Sequence, residues 1–341
     1  MIGVTQGDSS GIGPEIILKS HLTHQFDVPV VVYGDKAALE YYNDQLSLGV
    51  SIRTISRPAE FEAGPLNLID AGLLTRHDIR CGQLDRASGA AARAYVVSAT
   101  VAALAGEIGA IVTLPVNKEA VQLSDPTFVG HTELIGELCG VKDVTIMLVS
   151  DQLIVTHVST HVSLATAIGR AKKDRICTIL RLTSEAMRRL VDDPKIAVAG
   201  LNPHAGESGL FGDEEINEIA PAVEWAKSQG MPVDGPFPPD TVFYMAVHKK
   251  KFNAVVCMYH DQGHIPLKLL DFEGGVNVGL GLPIVRTSVD HGTAFDIAGK
   301  GIASIHSFIR ATELAVRLSG ATSDRAMPQE PGLTITERSR R

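Results

Sequence analysis

Histidines are concentrated in the polar segments that follow short apolar runs of the sequence. The chain has twelve histidines, and five of them lie in such segments beside other polar residues: His157, His161, His204, His260 and His264. Imidazoles from several segments could bind a divalent transition metal and leave coordination positions open for a substrate. Each histidine taken alone is equally well explained as a hydrogen-bonded structural residue, so both interpretations stay open.

The sequence predicts different local structures for two pairs within this set. His157 and His161 would share one face of a strand, because alternate residues of a strand point to the same side. His260 and His264 are expected in a loop that also contains Gly263. Pro266 follows closely and disfavours a helix in which the two histidines would be one turn apart.

Charged and amide side chains in the last third of the chain indicate an anionic substrate. Lys268 follows the His260 segment, Asn277 lies among glycines, and Arg286 follows an apolar run. Arginine binds phosphate or carboxylate through paired hydrogen bonds, and lysine acts as a point charge. Solvated surface charge is the alternative, which suits Arg286 less because apolar residues precede it. Asp240 could serve metal binding or acid–base chemistry, or it could cap a helix.

A glycine-rich segment near the start of the chain is a candidate phosphate site. Gly7, Gly11 and Gly13 follow the spacing G-x-x-x-G-x-G, and Pro14 suits the first turn of a helix whose N–H groups could face an anion. The spacing matches neither the dinucleotide fingerprint nor the Walker A pattern. A tight turn that needs glycine for positive φ is the other interpretation. A dinucleotide would therefore have to be bound without a Rossmann fingerprint.

The elements that must position these residues alternate between short apolar strands and longer helical patterns. Strands are predicted at residues 2–5, 28–33, 110–114, 145–148, 153–158, 196–199 and 254–258. Helices are predicted at residues 14–21, 88–104, 172–190, 214–229 and 307–318, with a shorter helical stretch at 294–298. The alternation predicts an α/β fold with largely parallel strands. In such folds ligands bind beyond the carboxyl ends of strands, where the polar segments occur.

Bulk composition excludes several classes of protein. The net charge of −8 over 341 residues argues against nucleic acid as the main partner. The four cysteines are far apart, so disulfides are not expected and a cytoplasmic location fits. The opening residues lack a secretory signal pattern. The most membrane-like stretch, residues 95–116, divides into a helix, a turn and a strand, so no membrane span is expected.

Five motifs occur in order along the chain: Gly-Ile-Gly-Pro-Glu at 11–15, Gly-His-Thr-Glu at 130–133, Asn-Pro-His-Ala-Gly-Glu at 202–207, Tyr-His-Asp-Gln-Gly at 259–263 and Arg-Thr-Ser-Val-Asp-His-Gly-Thr at 286–293. Together they resemble the 4-hydroxythreonine-4-phosphate dehydrogenase family, from about Ile2 to Leu318. The stretch 260–268 is more similar to the branch that acts on 4-phospho-D-threonate and 4-phospho-D-erythronate. Ser9-Ser10 departs from the Pro-Ala usual in relatives and leaves the glycines intact.

The resemblance implies an architecture like that of isocitrate and isopropylmalate dehydrogenases, with a cleft between two α/β domains. Residues 1–130 and 286–320 would form the first domain. Residues 131–285 would form the second, with the metal and dimer contacts, and residues 321–341 would be a polar tail. The resemblance also implies a homodimer whose active sites are shared between chains. His161 and His204 could then come from one chain and His260 from its partner.

Site roles follow from the same resemblance. A divalent metal (Zn, Mg, Mn or Co) would be held by His161, His204 and His260, with His157 and His264 as neighbours. Substrate would contact His131, Thr132, Lys268, Asn277 and Arg286. NAD would lie against Gly11, Gly13, Asp290 and Gly292. Lys118 and Asp240 are the candidates for proton transfer.

The implied reaction is an oxidation followed by a decarboxylation. The metal would bind the C3 hydroxyl of the substrate as a Lewis acid while hydride passes to NAD. The product is a β-keto acid that loses CO2, so a four-carbon 4-phosphate hydroxy acid would give dihydroxyacetone phosphate. Three alternatives remain: a 4-phosphohydroxy-L-threonine dehydrogenase of pyridoxal phosphate biosynthesis, a metal hydrolase or lyase without NAD, and a small-molecule binding protein.

Overall fold

The computed structural model describes residues 1–23 and 26–320. In this part of the chain twelve strands form one sheet in the order β3-β4-β2-β1-β5-β12-β11-β6-β7-β10-β8-β9. The strands are β1 (Ile2–Thr5), β2 (Val30–Gly34), β3 (Ile52–Ile55), β4 (Leu66–Asp70), β5 (Ala110–Thr113), β6 (Thr145–Val149), β7 (Ile154–His157), β8 (Ile196–Ala199), β9 (Val233–Phe237), β10 (Ala254–Cys257), β11 (Val276–Leu280) and β12 (Val285–Val289). The predicted α/β fold class is confirmed.

Helices separate most of these strands along the described chain. They are α1 (Gly13–Thr23), α2 (Lys36–Gln45), α3 (Arg86–Leu104), α4 (Lys118–Gln122), α5 (His131–Leu138), α6 (Leu164–Arg170), α7 (Lys173–Leu190), α8 (Ala220–Ser228), α9 (Pro239–Val247), α10 (His260–Leu270) and α11 (His306–Ser319). A π-helical turn, Glu215–Ile219, precedes α8. All five longer helices that the sequence predicts are therefore present, with the one at 214–229 starting as a π turn.

The sheet is parallel toward both edges and antiparallel in its middle. β11 pairs antiparallel with both β12 and β6, and β6 pairs antiparallel with β7. The strands of residues 1–130, with β12, occupy one half of the strand order, and the strands of residues 131–285 occupy the other half. This order is compatible with the proposed division into two domains, which stays a prediction.

Strand composition explains which strands the sequence reveals. Seven predicted strands are largely apolar runs and all seven are present. The five that were not predicted contain polar residues or glycine within four or five positions: β3, β4, β9, β11 and β12. Two of these, β11 and β12, carry Asn277 and Arg286 in the middle of the sheet. These polar residues of the candidate site interrupt the apolar pattern by which β11 and β12 would have been recognised.

The helix α3 packs its small residues against the sheet. Asp85 caps its N-terminus by accepting a hydrogen bond from the backbone N–H of Ser88. Buried alanines and Gly89 allow close approach to the neighbouring elements. Among the described residues, α3 is the one helix with the length and composition to cross a membrane, and half of its apolar window is buried inside the protein. That burial is what a core helix requires.

Three local expectations were wrong. Residues 260–270 form α10, with Pro266 inside, where a loop was expected. Proline in a helix costs about 3 kcal/mol, and burial of Gln262, Gly263 and Leu267 against the sheet offsets that cost. Residues 294–298 form turns instead of a helix, beginning at Ala294 with φ +44°. His161 lies in a bend beyond β7, which ends at His157. The proposed tail, 321–341, lies outside the described residues.

Candidate active site

A cavity of about 260 Å³ opens where β5, β11 and β12 meet the N-terminus of α5. Most of the proposed site residues line it: Lys118, His131, Thr132, His161, Asn277, Arg286, Asp290 and Gly292. They come from strand ends and helix starts that are far apart in sequence. The fold therefore gathers eight residues that the sequence could only nominate separately.

Arg286 is the buried cation of this cavity. Its side chain lies on β12, is only 3% exposed, and donates hydrogen bonds from Nε and Nη2 to the hydroxyl of Thr113 at 3.2 and 2.7 Å. Among the described residues it forms no ion pair. Burial lowers the pKa of the guanidinium to about 10, so it stays charged near neutral pH. The charge of Glu133 raises this pKa without forming an ion pair. A buried cation without a direct carboxylate partner is favourable only when an anion or water compensates it.

His131 begins α5 and also lines the cavity. Desolvation lowers the pKa of its imidazole to about 3, with Arg286 and Lys118 as further causes. The ring is therefore neutral at physiological pH and can donate one hydrogen bond. Its Nε2 atom and Oδ1 of Asn277 are both buried without a partner in the protein. Buried polar atoms normally have partners, so both atoms can bond to water or to a polar ligand in the cavity.

Lys268 reaches the same region from α10. Its ammonium lies 2.8 Å from Oδ2 of Asp290 and over the ring of Phe272, 5.4 Å from its centroid. Asp290 lines the cavity directly. The ion pair therefore places a second cation at the edge of the cavity, on a helix that the sequence did not predict.

Four histidines form a cluster at the edge of the cavity. The rings of His161 and His260 have centroids 5.5 Å apart, and His260 stacks on His264 at 3.5 Å. His264 in turn lies 3.2 Å from His157, measured from Nδ1 to Nε2. Desolvation, then Lys118 and His260, lower the pKa of His161. Neutral imidazole is the form that binds metal.

His204 and Asp240 lie apart from this cluster. His204 is exposed and stands beside Phe211, with ring centroids 6.2 Å apart. Asp240 is exposed in the first turn of α9. Neither lines the cavity, and no group of three or more potential metal ligands occurs in the described chain. One chain therefore brings together only two of the three histidines that the family resemblance nominates.

The glycine-rich loop is shaped by close packing more than by positive φ. Only Gly7 of its glycines has positive φ, at +75°. A Cβ on Gly11 would lie 2.8 Å from the carbonyl oxygen of Thr293, and one on Gly13 would collide with the carbonyl oxygen of Gln6. The turn interpretation thus holds for Gly7. Cofactor binding by Gly11 and Gly13 stays a prediction.

Thr113 and Glu133 are among the cavity residues that the sequence did not nominate. Thr113 ends β5, and its hydroxyl accepts from Arg286. Glu133 belongs to the Gly-His-Thr-Glu motif and also lines the cavity. A threonine at the end of an apolar strand resembles any core strand residue, so Thr113 gave no signal. Glu133 lay within a recognised motif and could have been nominated.

Comparisons with known proteins identify the family of this chain. Residues 25–315 match the family model described as pyridoxal phosphate biosynthetic protein PdxA. A D-threonate 4-phosphate dehydrogenase of Pectobacterium atrosepticum is 43% identical over 94% of this chain and 99% of the relative. A 4-hydroxythreonine-4-phosphate dehydrogenase of Beijerinckia indica is 45% identical over 94% of this chain and 96% of the relative. The crystal structure of a 4-hydroxythreonine-4-phosphate dehydrogenase from Klebsiella pneumoniae superposes with a TM-score of 0.85 at 45% identity, covering 94% of this chain and 99% of that one.

Proposed function

The chain belongs to the PdxA family, and on that premise we propose that it is an NAD-linked dehydrogenase of a four-carbon 4-phosphate hydroxy acid. The substrate is 4-phospho-D-threonate or 4-phospho-D-erythronate. Oxidation at C3 gives a β-keto acid and NADH. Loss of CO2 then gives dihydroxyacetone phosphate.

The observation that carries this proposal is the unpaired, buried guanidinium of Arg286. Its hydroxyl partner, Thr113, carries no charge. An anionic group of the substrate would supply the missing charge and accept from the remaining N–H groups. Lys268 would hold the other anionic end, while Asn277 and His131 would bond to the hydroxyl groups between. Fixing both ends of a short substrate sets its C3 carbon against the cofactor.

We assign the metal to His161, His260 and His204. The first two fit, because their rings lie side by side and the lowered pKa of His161 keeps its imidazole neutral. A divalent cation bound there would act as a Lewis acid toward the substrate hydroxyl. His204 does not reach the other two within one chain. It would therefore come from a second copy of the chain.

Exposed hydrophobic side chains support a second copy. Large apolar residues flank both histidine-bearing segments and are exposed in the single chain: Leu210, Phe211, Ile265, Leu269 and Phe272. Contiguous exposed apolar surface is characteristic of interfaces. A twofold interface is self-complementary and would create two equivalent sites. This grouping differs from the supposition that His260 is the residue contributed by the partner.

The remaining roles follow from position. Lys118 lines the cavity beside His131 and is the nearer candidate for proton transfer. Asp240 lies on α9, which packs against the segment that carries His204, so it would enter the site together with His204. Asp290 and Gly292, with Gly11 and Gly13, would contact NAD. We place the enzyme in the cytoplasm, in keeping with four free cysteines.

One assay separates this function from its rivals. Purified protein, NAD and 4-phospho-D-threonate should give NADH absorbance at 340 nm and an equal amount of CO2. A hydrolase or lyase would give product without NADH, and a binding protein would give neither. A 4-phosphohydroxy-L-threonine dehydrogenase is the second candidate, because relatives with 4-hydroxythreonine-4-phosphate names are 44 and 45% identical to this chain.

A further inference from the structure

The segment that carries His204 has an unusual backbone. Six consecutive residues have positive φ: His204 at +53°, Ala205 at +52°, Gly206 at +80°, Glu207 at +43°, Ser208 at +56° and Gly209 at +95°. Residues with a Cβ visit this left-handed region mostly one at a time, because Cβ crowds the following carbonyl oxygen. A run of six persists only where surrounding groups hold it in place.

A buried carboxylate holds the backbone of this segment in place. The side chain of Glu215 is 3% exposed. Its Oε1 atom accepts hydrogen bonds from the backbone N–H groups of Leu201 and Asn202 at 2.7 and 2.8 Å, immediately before the left-handed run. Its Oε2 atom accepts from Nδ2 of Asn202 at 2.9 Å. Among the described residues Glu215 forms no ion pair, so its charge is balanced by the loop itself.

The loop is also shaped around this carboxylate. A Cβ on Gly206 would lie 2.8 Å from Oε2 of Glu215, and one on Gly200 would lie 3.0 Å from Oε1. Glu215 opens the π-helical turn Glu215–Ile219, and such turns insert one residue into a helix and often occur at functional sites. The next glutamate of the turn, Glu218, bonds instead to Lys172 and the N–H of Lys173. Glu214, just before the turn, accepts a hydrogen bond from the Asn202 side chain, but Glu215 alone of these three glutamates also accepts from the backbone N–H groups of Leu201 and Asn202.

We propose that Glu215 is a positioning residue for His204: it holds the left-handed segment so that the imidazole of an exposed loop is fixed before it binds metal. The inference rests on the proposed role of His204 as a metal ligand. Groups that orient a metal ligand typically change affinity about 10- to 100-fold when removed. Glu215 would act at one remove from the metal, through the backbone that bears the ligand.

The test measures binding of Co²⁺ alone to metal-free, full-length protein, by competition with a chromophoric chelator and by the visible spectrum of bound Co²⁺. Glu215→Gln should weaken Co²⁺ binding about tenfold or more and alter the spectrum. Glu218→Gln, which lies in the same turn but bonds elsewhere, should match the native protein in both. His204→Ala serves as the reference for loss of the ligand.

The results distinguish the positioning role of Glu215 from the ligand role of His204. If His204→Ala weakens Co²⁺ binding but Glu215→Gln does not, the positioning role is wrong and the ligand assignment stands. If His204→Ala binds Co²⁺ like the native protein, the ligand assignment itself is wrong. Should Glu215→Gln not fold, Glu214→Gln removes only the contact of Asn202 Nδ2 to Glu214, and Asn202→Ala removes that contact together with the one to Oε2 of Glu215. A greater loss of affinity in Asn202→Ala than in Glu214→Gln would support the role, and equal affinity would overturn it.

Discussion

The guanidinium of Arg286 and the hydroxyl of Thr113 form a buried pair in which two N–H groups share one oxygen. The distances are 3.2 Å from Nε and 2.7 Å from Nη2. The pair spans β12 and β5, which are parallel neighbours in one half of the sheet, and β12 borders the other half. A neutral hydroxyl fixes the orientation of the guanidinium without neutralising it. The charge thus remains available to an anionic ligand in the cavity.

Replacing Arg286 should impair substrate binding more than it impairs the stability of the fold. Arg286→Lys keeps the charge but loses the paired geometry, so we expect kcat/KM to fall about 100-fold, or about 2.7 kcal/mol, mainly through KM. Thr113→Val should cause a smaller loss of the same kind. Arg93→Lys is the control, because Arg93 pairs with Asp125 away from the cavity. Unchanged KM in Arg286→Lys would contradict the anion site.

His131 should make the protein less stable in acid. Its pKa is about 3 when folded, against an ordinary value of 6.5, so below pH 6.5 the unfolded chain takes up a proton that the folded protein does not. Stability is then lost as the pH falls from about 6.5 toward 3. Between pH 7.5 and 4.5 the native protein should lose about 2–3 kcal/mol more than His131→Gln. Urea unfolding at both pH values measures this, and equal losses would contradict it.

Much of the fold could be predicted from the sequence because most of its strands are largely apolar runs. Residues 2–5 and 196–199 were predicted with the bounds that the structure gives to β1 and β8. The antiparallel middle could not be predicted, since β11 and β12 carry Asn277 and Arg286 inside short strands. The helix that begins at His260 was not predicted because Gly263 and Pro266 have low helix propensity. Packing of this segment against the rest of the fold outweighs that propensity.

The sequence could predict which residues belong to the site, but it could not predict how they are arranged in space. Loop composition nominated Lys268, Asn277 and Arg286, and the fold brings all three to one region. The choice of His161, His204 and His260 over His157 and His264 came from family motifs, because five similar imidazoles cannot be ranked by spacing. The roles of Thr113 and Glu215 depend on contacts across the fold that only coordinates reveal.

Pairwise mixing of inactive variants should identify which histidines share a chain. If His161 and His260 come from one chain and His204 from the other, mixing His161→Ala with His204→Ala places both lesions in one site of a hybrid dimer. Half the dimers are hybrid with one intact site each, so about a quarter of native activity should return. Mixing His161→Ala with His260→Ala should restore nothing. If that second pair recovers activity while His161→Ala with His204→Ala does not, His260 is the partner's contribution.

In the same kind of mixing experiment, Asp240 should act as a residue contributed by the same chain as His204. Lys118→Met and Asp240→Asn should each lower kcat about 100-fold or more if they transfer protons. Mixed with each other after verified subunit exchange, they should recover about a quarter of native activity, because Lys118 lies in one chain's cavity and Asp240 would come from the other. Asp240→Asn mixed with His204→Ala should recover none. Recovery in that second mixture would separate Asp240 from the His204 segment.

The most direct test of the proposed function is a comparison of kcat/KM for 4-phospho-D-threonate, 4-phospho-D-erythronate and 4-phosphohydroxy-L-threonine, followed by NADH formation. The three differ at C2 or in stereochemistry, and a site built for one polar group can reject another by up to roughly 10⁴-fold. We predict that one of the two hydroxy acids exceeds the amino acid by about tenfold or more. A preference of that size for 4-phosphohydroxy-L-threonine would contradict the substrate assignment and leave the family and the anion site standing. If none of the three compounds gives NADH, the proposed dehydrogenase function is wrong.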